Sequence, residues 1–231
     1  AAFAATASVP SLAFAQATSL PTIVVQAAED TPAPAGAGDV LPPGTLPQSL
    51  VVPTTEAARA ILARVPGAVA VVPDTAYKTA PAQTLKDVVD WTPGVFAQPK
   101  WGDDTRLSIR GSGLSRNFHL RGTQLSMDGI PINTSDGYGD FQEIDPTFYR
   151  YVEVYKGANA LRYGANSLGG AINFVLPTGR DAPRFDARID AGSFGYLRGA
   201  TSTAGTQGPF DYFIAATAWR ADGYRQHSDG E

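Results

Sequence analysis

Two short polar stretches hold the side chains most suited to bind a ligand. The first follows the glycines of Gly111–Gly113 and contains Arg116, Asn117, His119 and Arg121. Guanidinium and imidazole groups around an amide suit an anionic ligand, because guanidinium groups form strong charge-assisted hydrogen bonds with anions. A solvated loop with ordinary charges is the alternative interpretation of each of these residues.

The second stretch, residues 134–142, carries two aromatic rings, Tyr138 and Phe141, among glycines. Either ring is able to stack on an apolar part of a ligand, and either is equally able to pack against a wall of protein. The carboxylates of Asp136 and Asp140 suggest calcium, but the stretch lacks the spacing of an EF-hand. We therefore expect no metal site here.

Composition excludes several kinds of chemistry. Cysteine is absent, and the 2 histidines, His119 and His227, lie far apart, so disulfides and zinc sites are not expected. No Ser/His/Asp set or pair of carboxylates has a spacing typical of hydrolysis, so we expect neither an enzyme nor a cofactor. The 18 basic and 22 acidic residues form no long run of one sign, so nucleic acid is not an expected partner.

The N-terminal part of the sequence lacks the pattern of a folded domain. Residues 1–15 are apolar and end in an Ala-x-Ala cleavage pattern, which predicts the remnant of a secretory signal peptide. An alanine-rich disordered tail is the alternative. Residues 16–53 are dense in Pro, Ala, Gly and Thr, and this composition predicts a flexible arm.

The arm contains one short β-branched run, formed by Thr22, Ile23, Val24 and Val25. Such a run is able to pair edge-on with a sheet of another protein through main-chain hydrogen bonds. We interpret it as a docking strand on a tether.

Residues 54–178 show mixed helix and strand patterns. Helices are predicted over 57–64, after a hydroxyl cap, and over 83–90, where the apolar residues share one face. Strands are predicted over 68–72, 95–96, 105–111, 125–127, 151–155 and 171–176, with a turn at Asp128–Gly129. Together these elements predict an α+β domain with a mixed sheet and short helices.

Residues 179–231 change to long segments that alternate with period two. Apolar and charged residues alternate over 185–191, and the pattern continues over 196–203 and 211–220, joined by a turn at 205–208. Alternation over strands of about ten residues is typical of transmembrane barrel strands, although a soluble sandwich shows the same alternation. An aromatic girdle is suggested by Phe210, Tyr212, Phe213 and Trp219.

Three successive motifs resemble the plug domain of TonB-dependent outer-membrane receptors. They are Leu107–Gly111, Leu125–Asn133 and Val152–Ala158. The stretch Leu161–Val175 is similar to the motif that closes such plugs, and residues 22–25 look like a TonB box. The ordered set is far more specific than any one motif, and it looks most like receptors of the ferric citrate and ferric siderophore group.

The resemblance implies a protein of the cell outer membrane of a Gram-negative bacterium. In this family a plug fills a lipid-embedded barrel of about 22 strands. Only about three strands of that length fit into residues 179–231, so we expect the chain to end before the barrel closes. Arg110 and Arg162 are expected to form ion pairs between plug and barrel wall, because a buried guanidinium needs a carboxylate.

The implied function is active uptake of a ferric chelate into the periplasm. The ligand would bind an outer apex formed by residues 116–121 and 134–142, and residues 22–25 would pair with TonB, which an inner-membrane complex energises. Cobalamin, haem, other metals and oligosaccharides stay open as ligands. A secreted β-rich binding module and a periplasmic hydrolase are the interpretations from other classes.

Overall fold

The computed structural model describes residues 52–100, 102, 104–114, 120, 122–225, 227 and 229–230. These residues belong to one compact unit, Leu41–Glu231. The expected signal remnant, 1–15, and residues 16–51 of the expected arm lie outside the described residues. Among the residues described, no helix has the length and apolar character to cross a membrane.

The first predicted helix is present, but it starts and ends two residues earlier than expected. Helix α1 spans Thr55–Leu62, and the Thr54 hydroxyl accepts a hydrogen bond from the Ala57 amide at 3.1 Å. The helix ends early because the amides of Arg64 and Val65 bond to the carbonyls three residues before them, which tightens the chain into turns.

The second predicted helix, in contrast, starts two residues later than expected. Helix α2 spans Leu85–Val89. The amides of Gln83 and Thr84 donate to the Asp87 carboxylate at 2.9 and 3.0 Å, so these two residues cap the helix instead of continuing it. The apolar face is buried as predicted, through Leu85, Val88 and Val89.

Seven strands lie between α1 and residue 175. They are β1 (Ala68–Pro73), β2 (Val95–Pro99), β3 (Thr105–Ile109), β4 (Thr123–Met127), β5 (Ile130–Pro131), β6 (Tyr151–Lys156) and β7 (Gly170–Val175). Five of them form one sheet in the order β1-β6-β7-β4-β5, in which β4 and β7 are parallel and the other pairs antiparallel. Strands β2 and β3 pair separately. The predicted α+β fold with a mixed sheet is confirmed.

The two faces of the five-stranded sheet have different neighbours. One face carries Leu125, Val154 and Phe174 and packs into the main core, which includes the buried face of α2. On the opposite face, Tyr155 and Ala171 contact Leu62 of α1. Since side chains alternate along a strand, β1, β6 and β7 contribute to both packing layers.

The turn predicted at Asp128–Gly129 connects β4 to β5. Both residues have a left-handed backbone, with φ of 50° and 80°. Two successive positive φ angles define the two-residue hairpin turn whose twist matches that of the flanking strands, and Asp-Gly is a preferred pair for it. Short 3₁₀ turns at 74–76, 158–163 and 165–167 were not expected from the sequence.

The last three strands form an antiparallel meander. They are β8 (Phe185–Ala191), β9 (Leu197–Gln207) and β10 (Phe210–Arg220), in the order β10-β9-β8. The expected turn at 205–208 starts too early, because Gly205 continues the ladder and pairs with Tyr212, and the turn lies at residues 208–209. The Tyr212 ring lies over the place where a Gly205 side chain would be, which explains why glycine fits within this strand.

The meander has a polar face and an apolar face. Polar and small residues of β9, such as Arg198 and Ser202, are buried toward the domain that precedes the meander. Apolar residues such as Ile189 and Ile214 point away from that domain and are 80% and 62% exposed. A soluble sandwich would bury its apolar face, so this arrangement is the reverse of what a water-soluble sheet requires.

The four aromatic residues expected to form a girdle lie on both faces. Phe210 and Tyr212 are exposed on the outer face, at 77% and 47%. Phe213 points inward and meets the Phe148 ring edge-on at 6.2 Å, and Trp219 lines an internal cavity. The prediction that all four residues form one aromatic girdle is therefore wrong, because neighbouring residues of a strand point to opposite faces of the sheet.

Candidate functional site

Most of the predicted ligand-binding residues lie outside the described part of the chain. These are Arg116, Asn117, His119 and Arg121, and the docking run Thr22, Ile23, Val24 and Val25 is outside it as well. Their roles stay predictions.

The structure places Tyr138 and Phe141 in different environments. Tyr138 is partly exposed, whereas Phe141 is 3% exposed and packs in the main core. The expectation that Phe141 stacks on a ligand does not fit this position, because burial of a phenyl ring in the core removes a large apolar area from water. Tyr138 remains a candidate.

The carboxylates of the same loop have a structural use. Asp136 accepts a hydrogen bond from the Tyr138 amide at 3.1 Å, and Asp140 accepts one from the Gln142 amide at 3.0 Å. Such bonds from a carboxylate to an amide two residues later close tight turns. Among the residues described, no group of three or more His, Cys, Asp or Glu could hold a metal ion.

Arg110 lies beside a second cation, Lys156, at the bend that follows β3. The methylene chains of both approach Gly94, and the Arg110 guanidinium approaches Gly157. Lys156 is 9% exposed, and its burial, followed by the charge of Arg110, lowers its pKa. No carboxylate of the described residues pairs with either cation.

Arg162 is held within its own domain. Its guanidinium lies 5.5 and 5.3 Å from the ring centres of Tyr155 and Tyr163 and donates to the Tyr155 hydroxyl at 3.2 Å. The hydroxyls of both tyrosines donate to the Glu153 carboxylate, at 3.2 and 3.0 Å. Arg162 is thus linked to a carboxylate through a tyrosine, and its expected ion pair with a barrel wall stays a prediction.

One carboxylate, Asp145, joins the preceding domain to two strands of the meander. It accepts a hydrogen bond from the Arg198 guanidinium on β9 and another from the Thr217 hydroxyl on β10, the latter at 2.8 Å. Burial raises the pKa of Asp145, but hydrogen bonds from Thr147 and Thr217 and the charge of Arg198 outweigh burial and lower it. The carboxylate is therefore held in its charged form.

Two inward-facing arginines of the meander bind main-chain carbonyls of the segment before α2. Arg188 donates to the carbonyls of Lys78 and Ala80 at 2.9 and 3.4 Å, and Arg198 donates to that of Ala82 at 3.0 Å. Asp190 balances the charge of Arg188 through two contacts of 2.8 Å. The carbonyls of alternate residues, 78, 80 and 82, thus accept hydrogen bonds from the meander.

A polar cavity of about 180 Å³ lies next to the Asp145–Arg198 pair. The Tyr196 hydroxyl and the Arg198 Nε line it, both residues are more than nine-tenths buried, and neither atom has a hydrogen-bond partner among the described residues. Buried donors without protein partners commonly bind ordered water, and this cavity has the polarity and room for it.

The residues that connect domain and meander were not identified from the sequence. Alternation places Arg188 and Arg198 on the same face of the meander. This was the only feature of the sequence that could have indicated their contact with the preceding domain. Nothing in the pattern around Asp145 distinguishes it from the other acidic residues of its loop.

Comparison with known proteins locates a family match in the same region. Residues 62–171 match the model described as the TonB-dependent receptor plug domain. The matched residues contain α2 and strands β1 to β6.

Among curated proteins, the ferrichrome receptor FcuA of Yersinia enterocolitica is 30% identical over 135 residues, which cover 56% of this chain and 18% of that protein. The vitamin B12 transporter BtuB of Vibrio vulnificus is 27% identical over 112 residues, covering 48% and 18%. This chain spans about a fifth of the length of these relatives.

A solved structure shares the fold. The siderophore receptor PirA of Acinetobacter baumannii superposes with a TM-score of 0.52 at 20% identity, over 74% of this chain and 26% of that one. The likeness covers a larger share of this chain than the plug match alone, so it includes residues outside 62–171.

Proposed function

We propose that this protein is the receptor for a ferric chelate and imports it into the periplasm, because residues 62–171 match the model described as the TonB-dependent receptor plug domain. The energy comes from TonB and its inner-membrane complex. The protein would reside in the outer membrane of a Gram-negative bacterium, with lipid around its barrel.

The observation that carries this proposal is the orientation of the meander. Its charged residues bind the plug through Asp145 and the carbonyls of residues 78–82, while its apolar side chains point away. Apolar-out and polar-in alternation is what a membrane barrel requires, since its outer face contacts lipid and its inner face contacts the lumen. We therefore assign residues 179–231 to the first strands of the barrel wall.

The unpaired cations of the plug support the same assignment. Arg110 and Lys156 lie together without a described carboxylate, and two adjacent cations need a counter-charge. We propose that carboxylates of the wall beyond the meander supply it. Arg162 is proposed to reach the wall in the same way, beside its contact with Tyr155.

The choice of ligand rests on the charge of the predicted apex residues and on the names of two relatives. Arg116, Asn117, His119 and Arg121 would attract an anionic chelate at the outer apex, and Tyr138 would contact the same ligand. A relative named as a ferrichrome receptor fits this choice. Cobalamin is the second candidate, because a relative named as a vitamin B12 transporter matches this chain with similar identity.

Capture by TonB is proposed to occur at residues 22–25. A β-branched strand on a flexible arm can pair with a sheet of the partner and transmit a pull to the plug. No step requires covalent chemistry by this chain.

The test is uptake of radiolabelled iron from a panel of chelates by cells that carry the full-length receptor, with and without residues 22–25. We expect uptake of one chelate to be lost on deletion while its binding persists. Uptake that is insensitive to the deletion would refute the TonB box. If no chelate is taken up by either form, iron is the wrong ligand, and labelled cobalamin is tested next.

A further inference from the structure

The polar cavity beside the Asp145–Arg198 pair adjoins the stretch 134–142, which is predicted to bind a ligand. Gln142, the last residue of that stretch, lines the cavity, and so does Tyr196, which lies in the turn between β8 and β9. Tyr138, the remaining candidate of the stretch, is not part of the lining. The cavity therefore lies beside the proposed ligand site and has its own set of side chains.

Two buried donors at the cavity have no acceptor. The Tyr196 hydroxyl and the Arg198 Nε form no hydrogen bond with the described residues, although Tyr196 is only 8% exposed and Arg198 only 5%. A buried donor without an acceptor costs free energy, because folding has removed it from bulk water. The cavity thus favours a group that brings acceptor atoms to these two donors.

Two amide side chains add further hydrogen-bonding capacity. Gln83 and Gln142 bond to the carboxylates of Asp87 and Asp140 through their main-chain amides. Their side chains, which have no partner among the described residues, also line the cavity. Each amide both donates and accepts, so a matching ligand group should do the same.

The charges in the lining compensate each other. Arg198 and Asp145 are the only charged residues that line the cavity, and they form an ion pair with each other. The Asp145 carboxylate is further bound by the Thr217 hydroxyl. An ion that entered would remain without a partner of opposite charge, which is costly away from water. The lining therefore favours an uncharged group.

The size and the apolar part of the lining restrict that group further. Ile144 and Trp219 contribute apolar surface beside the polar side chains. The volume of about 180 Å³ corresponds to about six water molecules of the liquid. A sugar ring has a suitable size, with hydroxyls that donate and accept at its edge and apolar C–H groups on its faces.

We propose that this cavity is a lateral subsite for an uncharged, hydroxyl-rich group of the imported ligand, of the size of one sugar ring. The inference rests on the proposed function and deepens it, because the predicted apex residues would hold the charged part of the same ligand. Tyr196, Arg198, Gln83 and Gln142 would bind the hydroxyls. Water that fills the cavity in the free receptor would be displaced, since the hydroxyls can reproduce its hydrogen bonds.

The test uses the purified full-length receptor in a detergent without sugar groups. Binding of D-glucose, and of acetate as a charged probe, is measured by saturation-transfer difference NMR titration. Tyr196→Phe removes the free hydroxyl and keeps the ring, and Gln142→Ala removes an amide but keeps the main-chain bond to Asp140. Tyr212→Phe, on the outer face of the meander, and Gln207→Ala, at the end of β9, are the matched controls.

We expect glucose to bind, and each cavity variant to weaken its binding about two- to tenfold through the loss of one or two hydrogen bonds, while the controls change nothing. The Tyr196→Phe receptor should unfold at the same denaturant concentration as the native one, because the hydroxyl has no partner among the described residues. A structural role for the hydroxyl would instead lower that concentration.

Three results would overturn the inference: no binding of glucose, equal binding of glucose by the native receptor and both cavity variants, or tighter binding of acetate than of glucose. If glucose fails to bind while deletion of residues 22–25 still abolishes iron uptake, only the subsite is wrong. If glucose binds as expected and no ferric chelate is taken up, the subsite is supported and the ferric ligand of the proposed function is wrong.

Discussion

Asp145 connects the domain that precedes the meander to two strands of the meander. It is bound by Arg198 and Thr217 from two neighbouring strands, and the side chain of Arg198 is 6% exposed. Loss of one partner of a buried pair leaves the other charge without compensation, which costs more than the pair contributes when intact.

Arg198→Gln should therefore destabilise the full-length receptor by about 2–4 kcal/mol, less than for a fully buried pair because Asp145 keeps other donors. Arg220→Gln, an exposed arginine at the end of β10, is the control and should change stability by less than about 0.5 kcal/mol. Chemical unfolding of both variants in detergent measures the difference. Equal losses of stability in the two variants would show that the lost contact with Asp145 does not cause the destabilisation.

The same carboxylate predicts a pH dependence. The pKa of Asp145 is lowered in the folded protein, so its stabilising contribution is present above the unfolded pKa and is lost as pH falls through the lower folded value. The stability difference between the native receptor and Asp145→Asn should thus be constant from about pH 7 to pH 5 and shrink below about pH 4. A difference that already shrinks between pH 7 and pH 5 would contradict this assignment.

Among the elements, the start of β7 is the most crowded. A Cβ at Gly170 would lie 2.5 Å from the Tyr155 carbonyl oxygen and 2.7 Å from the Ile109 Cδ1. Backbone and core must both move to admit a methyl group, because protein interiors are close-packed.

Gly170→Ala should cost about 1–3 kcal/mol of stability, as overpacking of a core does. The matched control is Gly199→Ala on β9, where an added Cβ would meet no atom within 4 Å and the loss should be below about 0.5 kcal/mol. Thermal unfolding of the two full-length variants compares them. Similar melting temperatures of the two variants would mean that the sheet moves enough at Gly170 to admit a methyl group.

Local structure could be predicted from the sequence, and long-range structure could not. Alternation located β1, β6 and β7 to within about one or two residues, since periodicity reports the burial of each residue's own segment. The order β1-β6-β7-β4-β5 depends on which distant segments pair, and periodicity carries no information about that.

Predictions about the site failed where the position of a side chain depends on packing. Phe141 was expected at a ligand and lies in the core, in a cluster that also includes residues of α2 and β7. Arg188 and Arg198 were not identified as anchors, because their acceptors are main-chain carbonyls, which have no sequence signature.

At the scale of the whole molecule, the outer face of the meander is the feature that bears on the proposed membrane location. Its outer face exposes Phe185, Ile189 and Ile214, which a protein in water would bury. The inner face contacts the preceding domain, and the proposed function places lipid against the outer face.

Ile189→Lys should reduce the amount of full-length receptor in outer-membrane fractions, because a lysine facing lipid near the membrane centre costs about 2–4 kcal/mol. Gln207→Lys, at the end of β9, is the control, since the cost falls to about 0–1 kcal/mol near the membrane surface. Quantitative immunoblotting of membrane fractions measures both. Equal amounts in the two variants would argue against a lipid-facing meander.

The contact of Arg188 and Arg198 with carbonyls also affects how the protein can evolve. A carbonyl oxygen is present whatever side chain the residue carries, so mutations at Ala80 or Ala82 leave the acceptor unchanged. The segment before α2 can therefore diverge in sequence while the two arginines of the meander stay the same. Covariation between the two would not reveal their contact, and a foreign domain with the same backbone path could replace this one without new partners for either arginine.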